Sequence, residues 1–481
     1  MKKNIIYILF ISITLYACSD FLEQEPGEQI SIEEQLSNKN GILAALNGIY
    51  RDIEDILSSR HAIYADVQGG NITFTPSTVT NLVEIPTVIE NSYNFSDLED
   101  ESNYADYYAA FYDIINQGNI LLFYLPEFTF LTSEEQQQLE AELLTIRAFA
   151  HYQLSIHYAQ NYNFTSDASH LGIVYNTAPL TIGEDFPSRL TMSETYDHLK
   201  SDLNEALELY TENQSLAGPV YSYFNTNTTK ALYARIALQM NDWETAFSMS
   251  DAVIKTSGIS LTSKENYITE WEAEEISVSE VILEFSAPRT TEGQVSSSIS
   301  EHFIYNSSNN YGRYVASGDL ANLYDNGDIR KDMFLEVSIP TNTNNILTNE
   351  PYYFTKKFQG NPGTPFIRLS EIYLIRAEAN ARLEQLNSAL TDLNTIRERA
   401  NLAALTDTSN ILEDIFTERR KELAFEGHLL FDLIRFKKDV TRNLGCISTV
   451  CGLTYPSNNY ILPIPSSSTD FNENIIQNEG Y

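Results

Sequence analysis

The chain has 481 residues, with 66 Asp and Glu against 30 Lys and Arg and a formal net charge of −36. So acidic a surface excludes partners held through phosphates, nucleic acid and anionic membrane faces among them, because those contacts need Lys and Arg. A neutral ligand fits it better, and after residue 17 no segment reaches the ~18 consecutive apolar residues of a membrane span.

The N-terminus is built in three parts: Lys2 and Lys3, an apolar run from Ile5 to Leu15, then Tyr16-Ala17-Cys18. This pattern predicts a signal peptide over 1–17, cut after the small Ala17, with an apolar stretch too short to span a bilayer. Cys18 then stands where a bacterial lipoprotein carries lipid on its thiol, and each buried CH₂ of that lipid is worth about 0.8 kcal/mol of anchoring. The cut leaves 464 residues and a charge of −38, since two basic residues depart and no acidic one does. Residues 18–40 read as a lipidated start and polar tether, and 41–481 as one domain.

Ser31 with Glu34 resembles a capping box and predicts a helix to about residue 57. Residues 60–103 show no helical period and read as a long ordered loop region. Helices are predicted over 104–124 and from Ser133 to about Tyr158. Met192, Tyr196, Leu199, Leu203, Ala206 and Tyr210 recur at steps of four and three, one face of a further helix. Laying 230–254 over 373–397 aligns Ala234 with Ala377, Met240 with Leu383, Trp243 with Leu386, Ala246 with Ala389 and Val253 with Ile396. Small residues on both sides of a polar turn let antiparallel helices approach closely, as in tetratricopeptide-type hairpins. Helical repeats are therefore expected over about 41–255 and 366–436, with loop-rich insertions over about 60–103 and 256–365. The second insertion carries short β-like runs such as Val281–Phe285. Near the end, Cys446 and Cys451 either close a small loop in an oxidising compartment or remain free thiols.

The C-terminal third holds the specific motifs. Arg368-Leu-Ser-Glu-Ile-Tyr-Leu-Ile-Arg-Ala-Glu-Ala379 leads to Glu418-Arg-Arg-Lys-Glu-Leu-Ala-Phe-Glu-Gly-His428. Phe431-Asp-Leu-Ile-Arg435, Leu462-Pro-Ile-Pro465 and Gln477-Asn-Glu-Gly-Tyr481 follow. With Cys18-Ser-Asp-Phe-Leu-Glu23, Arg147-Ala-Phe-Ala-His-Tyr152 and Asn241-Asp-Trp-Glu-Thr-Ala246, this succession closely resembles the SusD/RagB family of Bacteroidetes outer-membrane lipoproteins. The resemblance implies a mostly α fold, in which tetratricopeptide-like hairpins form a right-handed superhelical scaffold under a loop-rich, partly irregular ligand face with a few short strands. It also implies a surface-exposed oligosaccharide binder that sits as a lid on a SusC-like TonB-dependent transporter, with some relatives binding peptide instead. No enzyme activity and no cofactor are expected.

The ligand residues themselves are read from chemistry. A neutral sugar offers apolar C–H faces and outward hydroxyls, so aromatic rings edged by Asn, Asp and Arg suit it. One group is Tyr64, Asp66, Asn71 and Phe74, with Tyr93 further on. The other is Tyr305, Asn309, Asn310, Tyr311, Arg313 and Tyr314. Trp243 and Trp271 are assigned to the core, and the charges of Glu418–His428 to an ion-pair network between the last helices. Asp325-Asn-Gly-Asp328 reads as a plain turn rather than a calcium loop, because the other ligands of an EF-hand spacing are missing.

Overall fold

A computed structural model describes residues 31–181, 183–273, 279–286, 298–358 and 363–481. The expected signal peptide, Cys18 and the tether up to residue 30 lie outside them. Helices of seven or more residues are α1 (Lys39–Leu57), α2 (Arg60–Gly69), α3 (Ala105–Tyr124), α4 (Ser133–Tyr158), α5 (Met192–Leu209) and α6 (Thr226–Gln239). They continue with α7 (Trp243–Thr256), α8 (Leu369–Arg382), α9 (Leu386–Arg399), α10 (Ile411–Glu422) and α11 (Leu429–Arg435). The protein is mostly helical, and consecutive helices from α3 to α10 pack on one another.

The caps explain where the helices start. Thr132 and Glu135 bond reciprocally at the head of α4, one residue before the predicted Ser133, and Thr191 and Glu194 do the same for α5. The predicted helix from Ser31 is divided: Ser31 caps only a short turn, Ile32–Gln35, and extended Asn38 restarts the chain as α1. Gly41 lies so close to the Gln35 carbonyl that a Cβ would sit 1.7 Å from its oxygen. The tether reading is therefore corrected for 31–40, which is folded.

The aligned repeats are two hairpins, α6–α7 and α8–α9, and they match down to the turn. Asn241 and Glu384, at equivalent places, have φ of 60° and 61°. The Asp242 N–H donates to the Ala237 carbonyl at 2.9 Å, and the Gln385 N–H donates to the Asn380 carbonyl at 2.8 Å. Ala234, Ala377, Ala246 and Ala389 are all fully buried. α7 packs directly on α8 although the second insertion leaves the scaffold between them.

That insertion is held at its base by β2 (Val281–Phe285) paired antiparallel with β8 (Thr364–Arg368). A four-stranded antiparallel sheet joins both insertions: β1 (Ile72–Phe74), β5 (Tyr314–Ala316), β7 (Ile346–Thr355) and β6 (Phe334–Thr343), in that spatial order. β6 and β7 form a long arm in unbroken register from Phe334↔Thr355 to Thr343↔Ile346. The short hairpin β3 (Tyr305–Ser307) and β4 (Asn310–Tyr311) lies beside it.

The loop expected over 60–103 is corrected at its start, which is α2. This helix is buried from Ile63 to Gly69 without a break, so it has no polar face and therefore no amphipathic period to read. Gly70, at φ 93°, ends it. Cys446 and Cys451 are joined as a disulfide.

Candidate functional site

The surface that gathers exposed aromatic and amide groups is built by β3–β4, the inner part of the arm and the loop 76–84. Successive strand residues face opposite sides. Phe354 is buried against Val315, Ile339 and the rings of Tyr305, Tyr311 and Tyr352. The Tyr305 and Tyr311 rings are nearly parallel, 13° apart with centroids at 6.3 Å, and lie 5.1 and 6.0 Å from Phe354. Both tyrosines are half-buried, while Asn309 and Asn310 at the hairpin tip are exposed. Gly312 admits this hairpin, since a Cβ there would stand 2.3 Å from the His302 carbonyl oxygen.

Hydrogen bonds tie the loop to this face. The Tyr311 hydroxyl donates to the Pro76 carbonyl at 3.1 Å, and Arg313 Nη2 donates to the Glu84 carbonyl at 2.9 Å. The Asn342 N–H donates to the Asn81 carbonyl at 2.7 Å, and the Tyr352 and Thr341 hydroxyls share a bond of 3.0 Å. Among the described residues, Arg313 Nε and Asn342 Oδ1 are buried without a hydrogen-bond partner. Burial raises the Tyr311 phenol above its ordinary range, so it stays neutral at pH 7.

The structure turns the other expected ligand residues inward. Tyr64 packs against Tyr104, His157 and Phe431. Asp66 accepts from Asn71 Nδ2 and from the Gly427 N–H, both at 2.6 Å, and Asn71 Oδ1 accepts from Arg420 Nε at 2.9 Å. Burial pushes the Asp66 carboxyl up to about 6. Phe74 lies between Tyr93 and Tyr314, and Arg442 covers the Tyr93 ring at 4.1 Å. Tyr314 is 5% exposed, and burial pushes its phenol up to about 12. The picture of Tyr64, Asp66, Asn71, Phe74 and Tyr314 as exposed loop groups is thus corrected: α2 and β1 are interior elements, and these side chains stitch the sheet to the helices. Tyr305, Asn309, Tyr311 and Arg313 remain together at the surface. Tyr352, Phe354 and Asn342 were missed; the alternating pattern around Asn344-Asn345 is the signal for the arm that carries them.

The charges of Glu418–His428 are spent inside the protein. Arg330 meets Asp328 at 2.8 Å, Glu418 at 2.6 Å and Glu422 at 3.1 Å. Arg368 meets Glu280, Glu422 and Glu426, and Arg419 and Arg435 both meet Asp432. Burial alone would raise the Glu422 carboxyl, but Arg399, Arg368 and Arg330 outweigh it and hold it well below the ordinary range. Asp325 pairs with Lys421 at 2.9 Å, so neither acid of the Asp325–Asp328 turn is free for a cation. Among the described residues no group of three or more His, Cys, Asp or Glu is placed to hold a metal ion.

A recess of about 50 Å³ lies within the scaffold beside His61, His157, His428 and Gln239. Since one water needs about 10–15 Å³, it has room for a few waters and not for a sugar chain. Trp271 is buried as expected, whereas Trp243 is half-buried with Arg382 5.2 Å above its ring.

A family model described as "SusD family" matches residues 342–481, and one described as "Starch-binding associating with outer membrane" matches residues 20–238. The chain belongs to the SusD-like family. SusD-like protein P25 of Formosa agariphila is 23% identical over 502 residues, spanning 90% of this chain and 90% of its own. The starch-binding protein SusD of Bacteroides thetaiotaomicron is 36% identical over 123 residues, 24% of this chain and 21% of its own. A crystal structure of a SusD superfamily protein from Bacteroides thetaiotaomicron shares the fold, with a TM-score of 0.78 at 24% identity over 92% of this chain and 99% of its own.

In this SusD-like protein the tyrosine face offers aromatic rings with neutral hydroxyls and amides at their edges. Such a surface can desolvate an apolar sugar face and meet hydroxyls that both donate and accept.

Proposed function

We propose that this protein captures a neutral oligosaccharide at the cell surface and delivers it, as a lid, to a SusC-like TonB-dependent transporter in the outer membrane, without chemistry of its own. The observation that carries the reading is the surface cluster of Tyr305, Tyr311 and Tyr352, edged by Asn309, Asn310 and Arg313. The relative named a starch-binding protein and the family description that speaks of starch and the outer membrane support it. Cys18 would carry the lipid, the residues after it the leash, and 41–481 would act as one binding body. A lid must release what it captures, so an affinity between roughly micromolar and millimolar is expected, about −8 to −4 kcal/mol.

Two experiments test this. Replacing Tyr305 and Tyr352 together by Ala should weaken binding in isothermal titration against a panel of neutral polysaccharides, with folding kept. Affinity equal to wild type would move the site elsewhere. Cys18→Ala should release a folded, ligand-competent protein from the membrane fraction, and retention there would disprove the lipid anchor.

A further inference from the structure

The four-stranded sheet ends on β6, and the main-chain groups along that edge can be assigned. A two-residue turn, Asn344-Asn345 at φ 54° and 66°, closes the arm, so the flanking pair Thr343 and Ile346 exchanges both main-chain hydrogen bonds. Bonded and non-bonded pairs then alternate, and β6 turns the main-chain groups of Glu336, Ser338, Pro340 and Asn342 away from β7. Three observations fix this phase. The Asn342 N–H donates to the Asn81 carbonyl rather than to β7. Pro340 has no N–H to give to a ladder. Tyr353, opposite Glu336, is the β7 residue that pairs with Ala316 on the other side. Among the described residues no hydrogen bond reaches the outward N–H or C=O of Glu336 or Ser338, and both residues are exposed.

The apolar layer also runs out at this edge. Val315, Phe354 and Leu335 stand in one row across β5, β7 and β6; the first two are buried, whereas Leu335 is 41% exposed. One more strand would cover Leu335 and take up the free main-chain groups, as extended segments do when they add to a sheet edge. Charge restricts which strand fits. From Phe334 to Thr355 the arm carries Glu336 and Glu350 and no Lys or Arg. An acidic strand, or a second copy of this acidic chain, meets like charge there, while a basic one gains opposite charge across the pair. Pro340 limits the pairing to a few bonds, which suits a partner held close by better than a free peptide.

We propose that the β6 edge at Glu336–Ser338 is a docking site for an extended segment of a partner protein that carries Lys or Arg and adds as a fifth strand. The proposal is independent of what the tyrosine face binds. The test uses the mature protein, a six-residue probe peptide alternating lysine and valine, and hydrogen exchange resolved to single amides. With the peptide at about ten times its Kd, exchange at the Glu336 and Ser338 amides should slow about tenfold. A peptide alternating glutamate and valine should leave both amides unchanged. Ser338→Pro removes an outward N–H and leaves the β7 ladder intact, so it should abolish the effect at Glu336, while Ser338→Ala should behave as wild type. Unslowed exchange with the lysine peptide, equal slowing by the glutamate peptide, or undiminished binding to Ser338→Pro would overturn the proposal. Slowing that grows with protein concentration alone would also overturn it, since copies of this chain would then pair with each other. Should Ser338→Pro fail to fold, the exchange measurements on wild type still decide.

Discussion

At the centre of the scaffold Arg368 meets the carboxylates of Glu280, Glu422 and Glu426, whereas on the tyrosine face Arg313 donates to one backbone carbonyl and buries Nε without a partner. The first arrangement answers charge with charge, so it fixes how helices and β8 meet and has little left for a ligand. The second sets half-buried rings beside exposed amides, with no carboxylate opposed to its arginine among the described residues, so its polar edges remain available to an outside molecule. One region is built for shape, the other for a guest.

The largest way to test that contrast is Arg368→Met. It takes one buried cation from Glu280, Glu422 and Glu426, leaving them to share Arg399, Arg330 and Lys357 with an excess of buried negative charge, and should cost about 3–5 kcal/mol in urea unfolding. A loss below about 1 kcal/mol would show that the charge network is not what sets the scaffold apart.

Next is a scaffold acid that no Lys or Arg pairs with among the described residues. Glu142 accepts from the Tyr50 hydroxyl at 3.2 Å, and burial pushes it from 4.5 up to about 7. The folded state therefore holds its proton more tightly than the unfolded state does. The stability this gives is full below about pH 4.5 and is lost as pH rises through 7. Glu142→Gln should be more stable than wild type at pH 8, by on the order of 3 kcal/mol, and should converge with it near pH 4.5. A variant that melts earlier than wild type at pH 8 would refute the assignment.

Ala246→Leu and Ala389→Leu probe the repeat. Both positions are fully buried between paired helices, so overpacking should cost each about 1–3 kcal/mol, and to a similar degree. Strongly unequal losses in thermal unfolding would break the equivalence of the hairpins.

The smallest stability effect is expected on the tyrosine face. Tyr305→Ala removes a half-buried ring and should cost less than about 1 kcal/mol while weakening glycan binding. A loss as large as that of Arg368→Met would mean that this face is core and erase the distinction.

The sequence by itself determined the helical hairpins, because α5 shows one apolar face and the equivalent alanines mark the close approach in α6–α7 and α8–α9. It also determined that Glu418–His428 is an ion-pair network, since acids and bases at helical spacing in an apolar setting must answer one another. It grouped Tyr305, Asn309, Tyr311 and Arg313 in one loop stretch, where closeness in the chain is closeness in space, and the structure folds that stretch about the β3–β4 hairpin. Only the tertiary structure decided that α2 is a helix, for an element buried on all sides carries no amphipathic signal. Only it could turn Tyr64, Asp66, Asn71, Phe74 and Tyr314 inward and bring Tyr352 and Asn342 beside loop 76–84. Exposure belongs to the neighbours a residue acquires on folding, and here those neighbours come from far along the chain.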